Sequence, residues 1–110
     1  MEETLTRALE AIWDALAEKE ILRVEVCYFG NDGDGEIEST KYTGPMVYDD
    51  DTDRKLEDLL YKILDRKCPY WNDEDGSDGT ITLFIPERLL VIDHDQLYKT
   101  VKKFKVHIRV

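Results

Sequence analysis

The chain has 110 residues, 42% hydrophobic and 36% charged, which suits one globular domain with a single core and is too apolar for a disordered chain. Acids outnumber bases 25 to 15, a formal net charge of −10; this disfavours direct nucleic-acid binding and attracts a basic protein surface or a divalent cation. No apolar stretch approaches the ~20 residues that span a bilayer, and Met1-Glu2-Glu3 lacks the positive region of a secretory signal, so the expected setting is cytoplasmic, off the membrane, with reduced thiols.

Residues 3–19 predict an amphipathic helix. Leu5, Leu9, Ile12, Trp13 and Leu16 recur at helical spacing, and Ala8, Ala11, Ala15 and Ala17 favour the conformation. Ile21 to Phe29 then alternates as a half-buried strand, with Leu22, Val24, Val26 and Tyr28 on one face and Arg23, Glu25 and Cys27 on the other. Asn31-Asp32-Gly33-Asp34-Gly35-Glu36 supplies a hairpin turn. The return strand, Glu36 to Tyr42, is poor in apolar residues and reads as an edge strand. Gly44-Pro45 closes it.

The run Asp49-Asp50-Asp51-Thr52-Asp53 is read as a helix start, with Asp51 or Thr52 as the cap and the other acids near the positive end of the dipole. Leu56, Leu59, Leu60, Ile63 and Leu64 mark one face of the helix that follows, and Cys68-Pro69 stops it. A second acidic loop spans Asn72 to Gly79. Thr80 to Ile85 predicts a strand, Pro86-Glu87-Arg88 a turn, and Leu89 to Ile92 a further strand that ends around Asp93-His94-Asp95. Gln96 to Lys103 fits a short helix, and Val106, Ile108 and Val110 fit a last strand.

That order predicts one α+β domain over residues 1–110: two helices on one face of a mostly antiparallel sheet, α-β-β-α-β-β plus a tail. The tail, 96–110, is basic. Five of the 15 bases fall after residue 98 and no acid follows Asp95, which leaves 10 bases against 25 acids in residues 1–98, a balance of −15. The basic end is expected either to dock on its own acidic body or to form a separate contact surface. Cys27 and Cys68, lacking any Cys-x-x-Cys pairing, are expected to be small core hydrophobes.

The two acidic loops hold the chemistry. Asp32, Asp34, Asp73, Asp75, Asp93 and Asp95 are the residues whose oxygens, if they converge, would hold Ca²⁺ or Mg²⁺, with His94 beside them. The standard calcium loop does not fit: counting from Asp73, the sixth residue is Asp78 where glycine is required and the twelfth is Phe84 where glutamate is required. His94 between Asp93 and Asp95 has the makings of a base oriented by a carboxylate, but no nucleophile pairs with it in the sequence, so no catalytic residue is assigned. Gly30, Gly33 and Gly35 do not make a dinucleotide fingerprint. Trp71 beside the second loop is a binding anchor or a lid on the core, and Tyr28, Tyr42, Tyr48 and Tyr98 are expected at one end of the sheet.

Ile12-Trp13, the strand ending Tyr28-Phe29-Gly30 with Gly33-Asp34-Gly35-Glu36-Ile37-Glu38, and Trp71-Asn72-Asp73-Glu74-Asp75-Gly76 with Gly79 before a strand together make a pattern. The chain resembles, over residues 8–95, a family of small bacterial domains of unknown function often encoded on plasmids and mobile elements. The resemblance implies one compact α+β domain with the two loops as its distinctive part, and no reaction. The basic tail departs from that pattern.

Three functions suit these residues. The first is a small non-enzymatic interaction protein whose acidic face, Asp32, Asp34, Glu36, Trp71, Asp73, Glu74, Asp75 and Asp78, meets a basic protein partner, as a nucleic-acid-mimicking phage or mobile-element inhibitor of host defence would. The second is a divalent-metal site with phosphoesterase-like hydrolysis. The third is an accessory subunit of a larger complex.

Overall fold

Two leucine-rich stripes decide where the helices lie. The computed structural model describes residues 3–31, 34–44, 50–68, 77–97 and 101–109. The elements are α1 (Glu3–Glu18), β1 (Arg23–Asn31), β2 (Asp34–Thr43), α2 (Asp50–Lys67), β3 (Ser77–Phe84), β4 (Leu89–Leu97) and β5 (Val101–Arg109). The buried residues of α1 are Leu5, Leu9, Ile12, Trp13 and Leu16, and those of α2 are Leu56, Leu59, Leu60, Ile63 and Leu64. These are the apolar positions of the sequence pattern, each fully buried leucine contributing about 1.5–3 kcal/mol.

The five strands form one antiparallel sheet in the order β2-β1-β3-β4-β5. Alternation sends Val24, Val26 and Tyr28 of β1, Ile81 and Leu83 of β3, Leu90 and Ile92 of β4 and Ile108 of β5 into the core beneath the helices. Tyr61 of α2 accepts a hydrogen bond from the Ile37 amide of β2 at 3.0 Å, and Tyr42 of β2 donates to Asp53 of α2 at 2.5 Å, so α2 lies over the β2 side. Arg88, in the β3–β4 turn, meets Asp14 of α1 at 2.5 Å, which sets α1 toward the other side. Both helices lie on this one face, and among the described residues no element covers the other, the open face.

Several local expectations are corrected. Leu22 is 56% exposed and Ile21 is buried in its place. The cause is the end of α1: Ile21 donates to the Leu16 carbonyl, Glu20 donates to the Ala17 carbonyl, and Glu20 takes a left-handed φ of 58°, a Schellman end that turns Ile21 back onto Leu16. Helix α2 begins at Asp50, so Asp51 and Thr52 lie inside its first turn instead of capping it. Ser77 and Asp78 belong to β3 and not to a loop. β4 runs through Asp93-His94-Asp95 to Leu97, and the tail resolves as strand β5 with no helix among its described residues. Tyr28 and Tyr42 sit at opposite ends of the sheet, since Tyr42 pairs with Val24 and Tyr28 with Ile37; Tyr48 and Tyr98 lie outside the described residues. Cys68 is buried, but Cys27 is half-buried on the open face, as its place in the alternation of β1 requires.

Candidate functional site

Register brings the end of β1, the head of β2, the start of β3 and the end of β4 together at one end of the sheet. Asn31 pairs with Asp34 across the first hairpin, Gly30 pairs with Ser77 at the start of β3, and Ser77 pairs with Gln96 near the end of β4. The chain therefore leaves β1 and enters β3 at the same end. Asp32, Trp71, Asp73, Glu74 and Asp75 lie outside the described residues, and of Asp34 only the backbone position at the head of β2 is described.

On the open face at this end the side chains form a row across the strands. Phe29 is opposite Glu36 on β2 and Asp78 on β3, and Asp78 is opposite Asp95 on β4. Neighbouring strands lie about 4.8 Å apart, so Asp78 and Asp95 are adjacent like charges. Such a pair, directly opposed, destabilises a sheet. Asp93 stands two residues before Asp95 on the same face, and Lys105 of β5 reaches its carboxylate at 3.2 Å. The basic tail thus does pair with the acidic body at this point. The far end of the same face is different: Arg23 lies over the Phe84 ring, 5.5 Å from its centroid, and Leu89 and Arg109 continue that row. On β2, β1, β3 and β4 the end of the open face at Asp78 and Asp95 is acidic, and at β5 Lys103 and Lys105 are the register partners of Asp95 and Asp93; the other end is basic and apolar.

Directly beneath the acidic row is a buried polar pair. Alternation sends His94 into the core while its neighbours Asp93 and Asp95 face solvent, so neither carboxylate orients the imidazole. Nδ1 of His94 instead lies 2.5 Å from the Tyr28 hydroxyl, and the two rings stack with centroids 5.8 Å apart. Both residues are about 1% exposed. Burial pushes the Tyr28 phenol well above its ordinary range, and the charges of Cys68, Asp78, Asp95 and Asp93 push it the same way. Cys68, at the end of α2, has its thiol raised by burial to about 11. Buried as they are, these groups do not present a nucleophile or base to substrate; Tyr28 and His94 join β1 to β4 across β3 under the acidic end. The Tyr28–His94 contact was invisible in the sequence, where the residues are 66 positions apart.

Among the described residues no three His, Cys, Asp or Glu side chains are grouped to hold a metal ion. Asp93 and Asp95 share a face because β4 stays extended through them, and His94 points away from them. A groove of about 380 Å³ runs between α1 and α2 over Ala8, Ala11, Ile12, Ala15 and Leu59, where the short alanine side chains leave space at the helix surface. Its rim mixes Lys55, Asp58 and Lys62 and gives no single charge.

The fold and this face define a small α+β domain: a five-stranded antiparallel sheet with helices on one side and, among the described residues, nothing packed on the other, which carries charge at its ends. No protein-family model matches the chain, and neither a curated protein nor a solved structure is significantly similar to it. Among the described residues no helix is long and apolar enough to cross a membrane.

Proposed function

We propose that the protein is a non-enzymatic binding module that offers the acidic end of its open sheet face to a basic protein partner. The observation that carries this reading is the direct opposition of Asp78 and Asp95, with Glu36 in the same row and Asp93 in the next. Opposed acids on adjacent strands cost a sheet roughly 0.2–1 kcal/mol; Lys103 of β5 is the register partner of Asp95 on its other side, so a cationic surface gains most over Asp78 and Glu36. Half-buried Phe29 in the middle of the row gives the contact an apolar anchor among charges. The kind of partner that suits this surface is the basic groove of a nucleic-acid-binding protein, the place a mimic of nucleic acid would occupy.

The test is calorimetric titration against basic nucleic-acid-binding proteins from about 50 to 300 mM salt, where screening of exposed charges changes most. Affinity falls at least tenfold over that range, and neutralising Asp78→Asn with Asp95→Asn removes most of the salt dependence. Binding that ignores salt, or an equally tight double variant, overturns the proposal.

A further inference from the structure

The two edges of the sheet are finished differently. At β2 the register shifts between Cys27 and Tyr28, and the Ile37 amide is taken by the Tyr61 hydroxyl at 3.0 Å. A bulge and a bound amide close an edge to further pairing. At β5, one side of the strand pairs with β4 and no strand among the described residues pairs with the other. Lys105, His107 and Arg109 are exposed at alternate positions on the open face of β5, and Val106 and Ile108 alternate with them on the core side. No acid occurs in Val101–Arg109.

We propose that the outer edge of β5 is a strand-addition site for an extended acidic segment of a partner protein, one that alternates carboxylates with aliphatic residues. Alternate side chains of an added strand stand about 6.6–6.8 Å apart on one face, matching Lys105, His107 and Arg109. Cross-strand partners of opposite charge stabilise the pairing, and like charges oppose it. Two β5 edges brought together would set bases against bases, which disfavours that arrangement. The β2 edge of a second copy has the right charges in Glu36 and Glu38, but its bulge and its occupied Ile37 amide prevent regular pairing. An aliphatic residue between the carboxylates would extend the cover over Val106 and Ile108. Backbone bonds supply affinity in such additions and the alternate side chains supply selectivity. Lys105 also pairs with Asp93 beside the acidic row, whereas His107 and Arg109 lie toward the other end of the face, so protection read at residues 107–109 distinguishes this site from the acidic row and each can fail without the other.

The experiment titrates the full chain, at 0.15 M salt, with three synthetic peptides of about nine residues, the length of an ordinary strand. One alternates glutamate and valine, the second alternates lysine and valine, and the third is the acidic peptide with proline at two alternate positions, which keeps the charge and removes ladder donors. Amide exchange across residues 105–109 is read by NMR. The acidic peptide slows exchange of alternate β5 amides at least tenfold, and the other two do not. Arg109→Glu weakens the acidic peptide about tenfold while the amide spectrum of α1 and α2 stays unchanged; if that variant does not fold, Arg109→Gln gives the same direction. Equal binding of the proline peptide, protection by the basic peptide, shifts confined to residues outside β5, or self-association of the protein through β5 without peptide would each overturn the proposal.

Discussion

The Tyr28 hydroxyl reaches His94 Nδ1 at 2.5 Å by passing over a whole strand, and the residue beneath it is Gly79, which pairs with Tyr28 on one side and His94 on the other. A Cβ at Gly79 would collide with the Tyr28 hydroxyl and lie 2.5 Å from the Asp93 carbonyl and 2.6 Å from Tyr28 Cζ. Gly79→Ala therefore displaces the tyrosine and breaks the buried contact. The expected loss is about 2–4 kcal/mol, combining overpacking with an orphaned buried polar group. Urea unfolding measures it; a variant within 0.5 kcal/mol (roughly the scatter of surface substitutions) contradicts this view of the pair.

The same region sets the alkaline limit of stability. Cys68 and Tyr28 both bind their protons more tightly in the folded chain than in the unfolded one. Their contributions are therefore complete below the unfolded pKa of each and are lost as pH rises through the folded value. Stability holds up to about pH 9, falls between about 9 and 11 as the buried Cys68 thiol ionises, and falls further above pH 10 as the Tyr28 phenol is driven to ionise. The Cys68 contribution is on the order of 2–3 kcal/mol. Denaturation midpoints from pH 7 to 11 test this, and Cys68→Ala removes the fall that begins near pH 9.

Asp78→Asn separates stability from binding. Removing one charge of the Asp78–Asp95 opposition raises stability by about 0.2–1 kcal/mol and weakens a basic partner. Thermal unfolding and titration on one sample check both. A variant that is less stable and equally tight contradicts the role given to the row.

Glu20 holds a left-handed φ of 58° at the end of α1, a position where glycine is favoured. Glu20→Gly is expected to stabilise the protein by about 0.5–1 kcal/mol, read from the urea midpoint at constant m-value. Destabilisation would mean that the side chain contributes more than its backbone strain costs.

Much of the fold was legible because burial and periodicity agree. Leu56, Leu59, Leu60, Ile63 and Leu64 repeat at helical spacing and are the buried residues of α2; the first hairpin and the edge position of β2 also follow from pattern. The failures lie where local chemistry competes with alternation. Asp93-His94-Asp95 looks like the polar end of a strand, yet the carboxylates face solvent, Lys105 meets one of them, and Tyr28 takes up the histidine. Ser77-Asp78 reads as loop because of its acidic neighbours, although β1 and β4 both pair with it. Leu22 lost its core place to Ile21 because one positive φ reverses the chain, and nothing in a glutamate announces that. The gathering of acids was legible only in part. Alternation places Asp93 and Asp95 on one face, but their alignment with Asp78 and Glu36 depends on long-range register.

The central claim is that the acidic row is where a cationic partner lands. Backbone-amide NMR of the isotope-labelled chain, titrated with a short oligolysine peptide at low salt and again with salt added, tests this most directly. Shifts are expected to cluster at Phe29, Glu36, Asp78 and Asp95, to spare Arg23, Leu89 and Arg109 at the other end of the same face, and to fade as salt screens the charges. Shifts spread evenly over all exposed acids, or centred on the helices, would contradict it.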